Sequence, residues 1–396
     1  MLNRLIAAWL VSTMGVQPQI PSCPQALNLA TELGRRFDLG RAFPQDETTF
    51  EISEQDPNRN VRYIRVRLRI TAPVAARWYL IVRDANGHAV DVFSHKDVSG
   101  SVERWTGRVP GAMVRFDRYV EGDDPNGVQV HFPEYVVMDA SAKAPYYSYQ
   151  DPARPKVFPL YDEQSPATLD DRRLGDAAAF VMTASDSTQV WTCSGVVVAP
   201  GMLLTNWHCG GIAPMLNSEY WKDSICKRML VDVSWDDDDR SQEFTCVGRP
   251  IVNEELDVAI VQIQPIDGRG AIRPATLSVA APTLDHIKLV HHPEGHQKRI
   301  SLNCSVKAVS VAGWRSDDMF DFTHDCDTEG GSSGAPIYDK GGRVIGLHHH
   351  GFKRNPKTCE VEDRVNKAVR MDEIVKWLDS SSELRALKAQ MRIHTP

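Results

Sequence analysis

CDTEGGSSGAPIY, from Cys326 to Tyr338, is the most informative segment of this 396-residue chain. Its centre, residues 331–336, places glycines and small residues in one predicted tight bend. Glycine reaches backbone angles closed to other residues and lets a ligand approach the main chain. A serine on such a bend can present its hydroxyl beside converging N–H groups, as acyl-transfer chemistry requires. The alternative interpretation is an ordinary Gly- and Ser-rich loop.

Two upstream segments supply the partners that such a serine needs. LLTNWHCGG, residues 203–211, places His208 after an apolar run, and ELDVAIVQI, residues 255–263, places Asp257 at the head of a predicted strand. A serine nucleophile requires a base for its proton and a carboxylate that fixes the tautomer of that base. The sequence therefore predicts a catalytic set of His208, Asp257 and Ser333.

The order His, Asp, Ser along the chain is that of the chymotrypsin group. From about Leu174 to Leu378 the sequence resembles bacterial secreted trypsin-like serine endopeptidases, and in its motifs it is most similar to the lysyl endopeptidases. The motifs are TNWHC, HHPEGHQKRIS, TEGGSSGAPIY and VIGLHHHG. The resemblance implies two six-stranded antiparallel β-barrels, with His208 and Asp257 from the first and Ser333 from the second.

The same resemblance implies an oxyanion hole and a disulfide. The backbone N–H groups of Gly331 and Ser333 would be the oxyanion donors. A bridge between Cys193 and Cys209 would match the disulfide that braces the histidine loop throughout the group. The positions of the other cysteines suggest two more bridges, Cys226–Cys246 and Cys304–Cys326. Cys23 and Cys359 are left, and they either pair across domains or stay unpaired.

One residue departs from the animal trypsins. Ser332 stands where those enzymes carry an aspartate that pairs with a newly cut N-terminus. Activation by that ion pair is not expected here, and a zymogen would have to work by steric blockage.

Substrate preference is open between two interpretations. Asp327 lies six residues before Ser333, at the position that forms the base of the specificity pocket in trypsin. A carboxylate there predicts cleavage after lysine or arginine through a charge-assisted pair. The lysyl endopeptidases place their aspartate after the serine, where the nearest equivalent here is Arg364. His348 favours glutamate, because glutamyl endopeptidases use a histidine at that point. The residues predicted to line the substrate are Asp327, His348, His350 and Gly351.

A metal or cofactor is not expected, although the chain has 13 histidines. Adjacent histidines on a strand point to alternate faces, so His348, His349 and His350 cannot all ligate one ion. The acidic run Asp236–Asp239 lacks the ligand spacing of a calcium loop.

Composition restricts the partners. A net charge of −7 makes nucleic acid an unexpected ligand, whereas 42% hydrophobic and 24% charged residues are ordinary for a globular protein. Polypeptide substrates are the expected partners of a monomer without a membrane anchor. Residues 1–22 are predicted to be a secretory signal peptide, because Arg4 precedes an apolar run too short to span a bilayer. A secreted or periplasmic location agrees with disulfides, and the alternative is a buried N-terminal helix.

The residue pattern of the N-terminal part predicts a separate β-domain. Residues 24–37 show weak helical spacing, but VRYIRVRLRI, residues 61–70, alternates apolar residues with arginines, which predicts a strand. Four shorter strand candidates and intervening turn signals follow. These features predict a β-sandwich over residues 23–143, either a pro-region or an accessory domain, whose arginine row faces solvent.

The predicted fold class is therefore mostly β. After the sandwich, residues 144–172 are a proline- and tyrosine-rich linker, and residues 173–396 form the trypsin-like double barrel with a C-terminal helix around Ile374, Trp377 and Leu378. A catalytically silent relative that acts as a binding protein remains the alternative to an enzyme.

Overall fold

A computed structural model of the chain describes most residues beyond Thr31. The described residues are 31–96, 100–121, 127–140, 156–186, 188–211, 221, 223–236, 242–266, 272–314, 316–351, 353–354, 361–363 and 366–395. The predicted signal peptide, Cys23, Cys359, Arg364 and most of the acidic run lie outside them. None of the helices within these ranges is both long and apolar enough to cross a membrane.

The described residues of the N-terminal part form a β-sandwich of nine strands. They are β1 (Thr31–Ala42), β2 (Thr49–Ser53), β3 (Val61–Ala72), β4 (Arg77–Arg83), β5 (Ala89–Ser94), β6 (Gly100–Trp105), β7 (Val109–Pro110), β8 (Met113–Glu121) and β9 (Gln129–Asp139). One sheet has the order β1-β9-β3-β6 with β7 beside β3, and the other has the order β2-β8-β4-β5. The predicted sandwich is confirmed.

Alternation in β3 explains why the two sheets pack together. Ile64, Val66, Leu68 and Ile70 are all fully buried in the core between the sheets, as a strand of period two requires. The helical prediction for residues 24–37 is wrong from Thr31 onward, because β1 pairs with β9 along one edge and tertiary pairing overrides the local spacing.

The C-terminal half contains two closed antiparallel barrels. The first consists of β11 (Ala178–Ala184), β12 (Gln189–Ala199), β13 (Met202–Thr205), β14 (Leu230–Asp232), β15 (Glu243–Asn253) and β16 (Val258–Pro265). The second consists of β18 (His286–His291), β19 (Arg299–Val311), β20 (Asp321–His324), β21 (Pro336–Tyr338), β22 (Val344–His350) and β25 (Asn366–Arg370). Each set of six strands closes on itself through neighbouring pairs, so the predicted double barrel is confirmed.

Shorter elements complete the described chain. They are β10 (Val157–Pro159), β17 (Thr276–Ser278), β23 (Lys353–Arg354), β24 (Val361–Asp363), β26 (Arg392–His394), α1 (Leu169–Gly175), α2 (Asp223–Arg228), α3 (Met371–Leu378) and α4 (Ser382–Lys388). Helix α3 is the predicted C-terminal helix and packs into the core beside β22 and β25. The predicted linker is described only from residue 156, where β10 already pairs with β19 of the second barrel.

The sandwich and the first barrel share one continuous sheet. Strand β1 pairs with β9 of the sandwich on one edge and with β12 of the first barrel on the other. An apolar cluster crosses the same junction, in which Tyr63 and Trp105 of the sandwich meet Phe180 and Trp235 of the barrel side. The two domains are therefore joined by both backbone pairing and a common core.

The arginine row of β3 faces solvent only in part, and the predicted solvent-facing role is wrong for Arg65. That side chain is fully buried, and its guanidinium donates to Glu243 of β15 at 2.5 Å and to the carbonyl of Thr106 at 2.8 Å. Arg67 pairs with the buried Glu134, while Arg69 is half-exposed. A buried cation requires such a partner, which the alternation of β3 alone cannot reveal.

Candidate active site

The histidine loop is a short 3-10 turn fixed by a disulfide. Residues Trp207–Gly210 form the turn, and the bridge Cys193–Cys209 ties it to β12. The indole N–H of Trp191 donates to the carbonyl of Cys209 at 2.8 Å. His208 is consequently buried, with 1% of the residue exposed.

Asp257 is held against this turn by its backbone and by its carboxylate. It adopts a left-handed conformation with φ of 54°, and its carbonyl accepts the N–H of Trp207 at 3.1 Å. Carboxylate Oδ1 accepts the backbone N–H of His208 at 3.0 Å, and Oδ2 lies 2.7 Å from Nδ1 of the same residue. Both carboxylate oxygens therefore orient one histidine.

The charge of Asp257 determines which ring nitrogen of His208 carries a proton. Burial by itself raises the pKa of the Asp257 carboxyl, but His208 and His349 outweigh burial and lower that pKa to about 2. An ionised carboxylate only accepts hydrogen bonds, so Nδ1 of His208 carries the proton and Nε2 is left as the base. Nε2 is buried and makes no hydrogen bond to any described residue.

The loop that carries Ser333, here called the nucleophile loop, packs against the same disulfide. The carbonyl of Ser333 accepts the N–H of Ser194 at 2.7 Å, and Sγ of Cys209 lies 4.0 Å from that carbonyl. Gly334 follows with φ of +83°, and a Cβ there would overlap the Ser194 carbonyl and the Thr205 hydroxyl. The close approach of two barrels thus requires glycine after the serine. It brings Ser333 next to the loop that carries His208.

Both peptide groups around Gly331 are fixed. The carbonyl of Gly330 accepts the N–H of Glu294 at 2.6 Å, and the carbonyl of Gly331 accepts the Ser194 hydroxyl at 2.9 Å. Because a trans peptide points its N–H opposite to its carbonyl, the N–H of Gly331 is directed away from the Glu294 turn. Gly331 needs its φ of +92° for this orientation, which suits a donor in an oxyanion hole.

Ser332 holds the nucleophile loop through neutral hydrogen bonds. Its buried hydroxyl lies 2.8 Å from Nδ1 of His291 and accepts the N–H of Glu329 at 3.0 Å. Burial, together with nearby His292 and Arg299, lowers the pKa of His291 well below its usual value, so the imidazole is neutral. The loop is ordered without the ion pair that an aspartate would form at this position.

Of the four residues predicted to line the substrate, Asp327 precedes the turn of Ser333, and the other three are on or directly after β22. Asp327 is buried, and its Oδ2 accepts the backbone N–H of Lys156 at 3.1 Å. His348 is buried on β22 with Nδ1 3.2 Å from Nε2 of His324. His350 ends β22, followed by Gly351, and stacks on Trp314 with ring centroids 6.0 Å apart. The Trp314 ring also lies 5.9 Å from the His208 ring between centroids, so Trp314 contacts both His350 and His208.

All three predicted disulfides are present in the described chain. They are Cys193–Cys209, Cys226–Cys246 and Cys304–Cys326. The cluster of Cys193, Cys209 and His208 has the compactness of a metal ligand set, but its two sulfurs are joined to each other and offer no thiolate.

Sequence reasoning missed several residues that shape the site. They are Ser194, Glu294, Trp314, Asp321 and His349. Ser194 and Glu294 contact the loop of Gly331 and Ser333. Trp314 contacts His208, His349 contacts Asp257, and Asp321 contacts His349. None of the five stands in a motif for that role. The one available signal was the histidine run of β22, which the sequence assigned to substrate lining.

Comparison with known families identifies the central part of this region. Residues 193–347, less than half of the chain, match the model of the trypsin-like peptidase domain. A search of curated proteins finds no match.

Solved structures with similarity to the chain include two proteases. The active form of Rv3671c protease from M. tuberculosis has a TM-score of 0.37 and 16% identity, covering 56% of this chain and 84% of its own. The HtrA-type protease AlgW with a tripeptide has a TM-score of 0.39 and 19% identity, covering 52% of this chain and 60% of its own. At this level the similarity says nothing about the substrate of the peptidase domain.

Replacing Asp257 with asparagine tests the geometry of the peptidase domain. The amide would donate rather than accept at one position, so His208 would adopt the wrong tautomer and kcat is expected to fall about 10⁴-fold. Steady-state kinetics on a chromogenic peptide ester measure the loss, with circular dichroism as the check on folding. Glu254→Gln, a nearby change outside the His208 contact, is the control. Equal activities of the two variants would contradict the assigned role of Asp257.

Proposed function

We propose that the protein is a serine endopeptidase that hydrolyses polypeptides through an acyl-enzyme. The observation that carries the proposal is the buried pair of Asp257 and His208, with the Ser333 loop docked on the same disulfide-braced turn. The match of residues 193–347 to a trypsin-like peptidase domain supports it.

In this mechanism each residue has one task. Nε2 of His208 accepts the proton of the Ser333 hydroxyl as Oγ attacks the scissile carbonyl carbon. Asp257 stabilises the imidazolium that forms, and the N–H groups of Gly331 and Ser333 stabilise the oxyanion. His208 then returns the proton to the leaving amine. Water repeats the sequence on the acyl-enzyme and releases the acid product.

Removal of the nucleophile separates an enzyme from a silent binding protein. Ser333→Ala is expected to abolish both hydrolysis of casein and labelling by a fluorophosphonate probe, because the reacting oxygen is gone. The wild type should label with one probe per chain, detected by intact-mass spectrometry. The exposed Ser101→Ala variant is the control and should label fully. A wild-type protein that is folded but takes no probe would favour the binding-protein alternative.

We propose that cleavage follows lysine or arginine and that Asp327 provides the selecting charge. This carboxylate is buried and accepts the backbone N–H of Lys156, so its negative charge would attract a basic side chain in a setting that water screens poorly. Glutamate is the second candidate, because the side chains of His348 and His324 form a buried pair from β22 and β20, the two strands that flank β25 in the same barrel. Burial lowers the pKa of His324 to about 3, so both rings would have to gain charge on binding an acidic residue.

A mixed peptide library distinguishes these two candidates. Cleavage after lysine and arginine is expected for the wild type, and Asp327→Asn should lower that cleavage at least tenfold by removing the charge-assisted pair. His348→Gln should leave it within about twofold. Mass spectrometry of the products gives the preference. Cleavage after glutamate that is lost in His348→Gln would reverse the assignment.

We place the active protein outside the cytoplasm, since disulfides persist in oxidising compartments. We further propose that the sandwich is an accessory domain that stays with the peptidase domain. The continuous β9-β1-β12 sheet and the buried Arg65–Glu243 pair support this, because their separation would expose an apolar core and an unpaired charge.

Cutting the chain between the domains tests the accessory role. A site for a specific protease inserted between residues 141 and 155 should be cleaved without separating the fragments, which would co-elute on gel filtration and retain activity. Glu243→Gln should promote their dissociation, whereas the half-exposed Glu103→Gln should not. Full activity of the isolated peptidase fragment would show instead that the sandwich is dispensable, as a pro-region would be.

A further inference from the structure

His349 lies directly behind the catalytic pair. It is buried on β22, and its two ring nitrogens face two different carboxylates. Nε2 lies 3.0 Å from Oδ2 of Asp321 on β20. Nδ1 lies 3.3 Å from Oδ2 of Asp257, the same oxygen that receives Nδ1–H of His208. The second contact is an ion pair whose angle is unfavourable for a hydrogen bond.

This arrangement determines the charge of the ring. A neutral imidazole has one N–H donor and one acceptor nitrogen. An acceptor nitrogen facing an ionised carboxylate oxygen would place two lone pairs against each other. The imidazolium avoids this repulsion, because it carries an N–H on each nitrogen and a positive charge that pairs with both Asp257 and Asp321.

The other ionisable groups around His349 leave this conclusion unchanged. On its own strand the neighbours are His348 and His350, and from the packed elements the facing groups are His208, His324 and the two carboxylates. Trp314 adds an aromatic edge with ring centroids 6.3 Å apart. Burial lowers the pKa of His349, but Asp321 and Asp257 outweigh it and raise that pKa to about 9.

We propose that His349 is a positioning residue that is a cation at neutral pH and lies between Asp257 and Asp321. The proposal deepens the peptidase function above and rests on it. With His349 charged, the two carboxylates and one imidazolium carry a net charge of −1 beside neutral His208. When His208 takes the proton of Ser333, the group of four becomes neutral.

Without this cation, the two buried carboxylates of Asp257 and Asp321 would have no positive charge between them. Two like charges in a shared buried site repel each other, which disfavours the ionised form of the Asp257 carboxyl. A protonated Asp257 would no longer stabilise the His208 imidazolium. His349 therefore keeps the catalytic carboxylate ionised and in place.

The pH dependence has a defined sign. Because the pKa of His349 is raised, its ion pairs contribute fully below its unfolded pKa of 6.5 and are lost as pH rises through about 9. Activity should fall along the same alkaline limb. Lys298, another buried cation, has a pKa that burial lowers to about 8, so the limb alone does not identify His349.

Two variants identify the group that titrates. His349→Gln can hydrogen-bond but carries no charge, and kcat/KM at pH 7.5 is expected to fall about 10- to 100-fold, through kcat rather than KM, with loss of the alkaline limb. Asp321→Asn keeps His349 but removes one of its two carboxylate partners. The alkaline fall in activity should therefore occur at a lower pH than in the wild type. His286→Gln, the same change at an exposed position of β18, should leave the profile unchanged.

Nitrogen NMR on the inactive Ser333→Ala protein gives a readout independent of turnover. The ring nitrogens of His349, assigned by comparison with His349→Gln, should both be protonated at pH 7.5 and titrate near pH 9. A neutral ring at pH 7.5, or an alkaline limb unchanged in both His349→Gln and Asp321→Asn, would overturn the proposal. If Ser333 does not react with fluorophosphonate, the proposed function fails instead, whatever the charge of His349.

Discussion

The structure of the proposed active site depends on one buried charge, the carboxylate of Asp257. A buried carboxylate is costly unless charged partners and hydrogen-bond donors surround it. Here the backbone and ring of His208 supply donors on one side, and the His349 ring lies on the other. The resulting low pKa keeps the carboxylate ionised, and the ionised carboxylate in turn fixes the tautomer of the base.

The meeting of two barrels supplies the rest of the catalytic geometry. Ser194 of β12 donates its hydroxyl to Gly331 and its backbone N–H to Ser333, so one residue of the first barrel orients the oxyanion loop of the second. Gly334 permits that approach because a side chain there would overlap the first barrel. The nucleophile loop is therefore positioned by packing between barrels rather than by its own sequence alone.

The sequence predicted those features that depend on local pattern or on fixed chain order. The alternation in β3 predicted the sandwich, and the motifs around His208, Asp257 and Ser333 predicted the double barrel. Contacts between residues far apart in the chain could not be predicted from the sequence alone. Arg65 finds Glu243 at a separation of 178 residues, and β1 is a strand because two other strands flank it. The contact of His349 with Asp321 likewise exists only after the second barrel closes.

The most direct test of the central claim is a crystal structure of the protein after reaction with a peptidyl phosphonate. The account predicts a bond from phosphorus to Oγ of Ser333, with a phosphoryl oxygen accepting the N–H groups of Gly331 and Ser333. Nε2 of His208 should lie within hydrogen-bond distance of that adduct, and Nδ1 should remain on Asp257. A phosphonate bonded elsewhere, or a His208 ring turned away from Ser333, would contradict it.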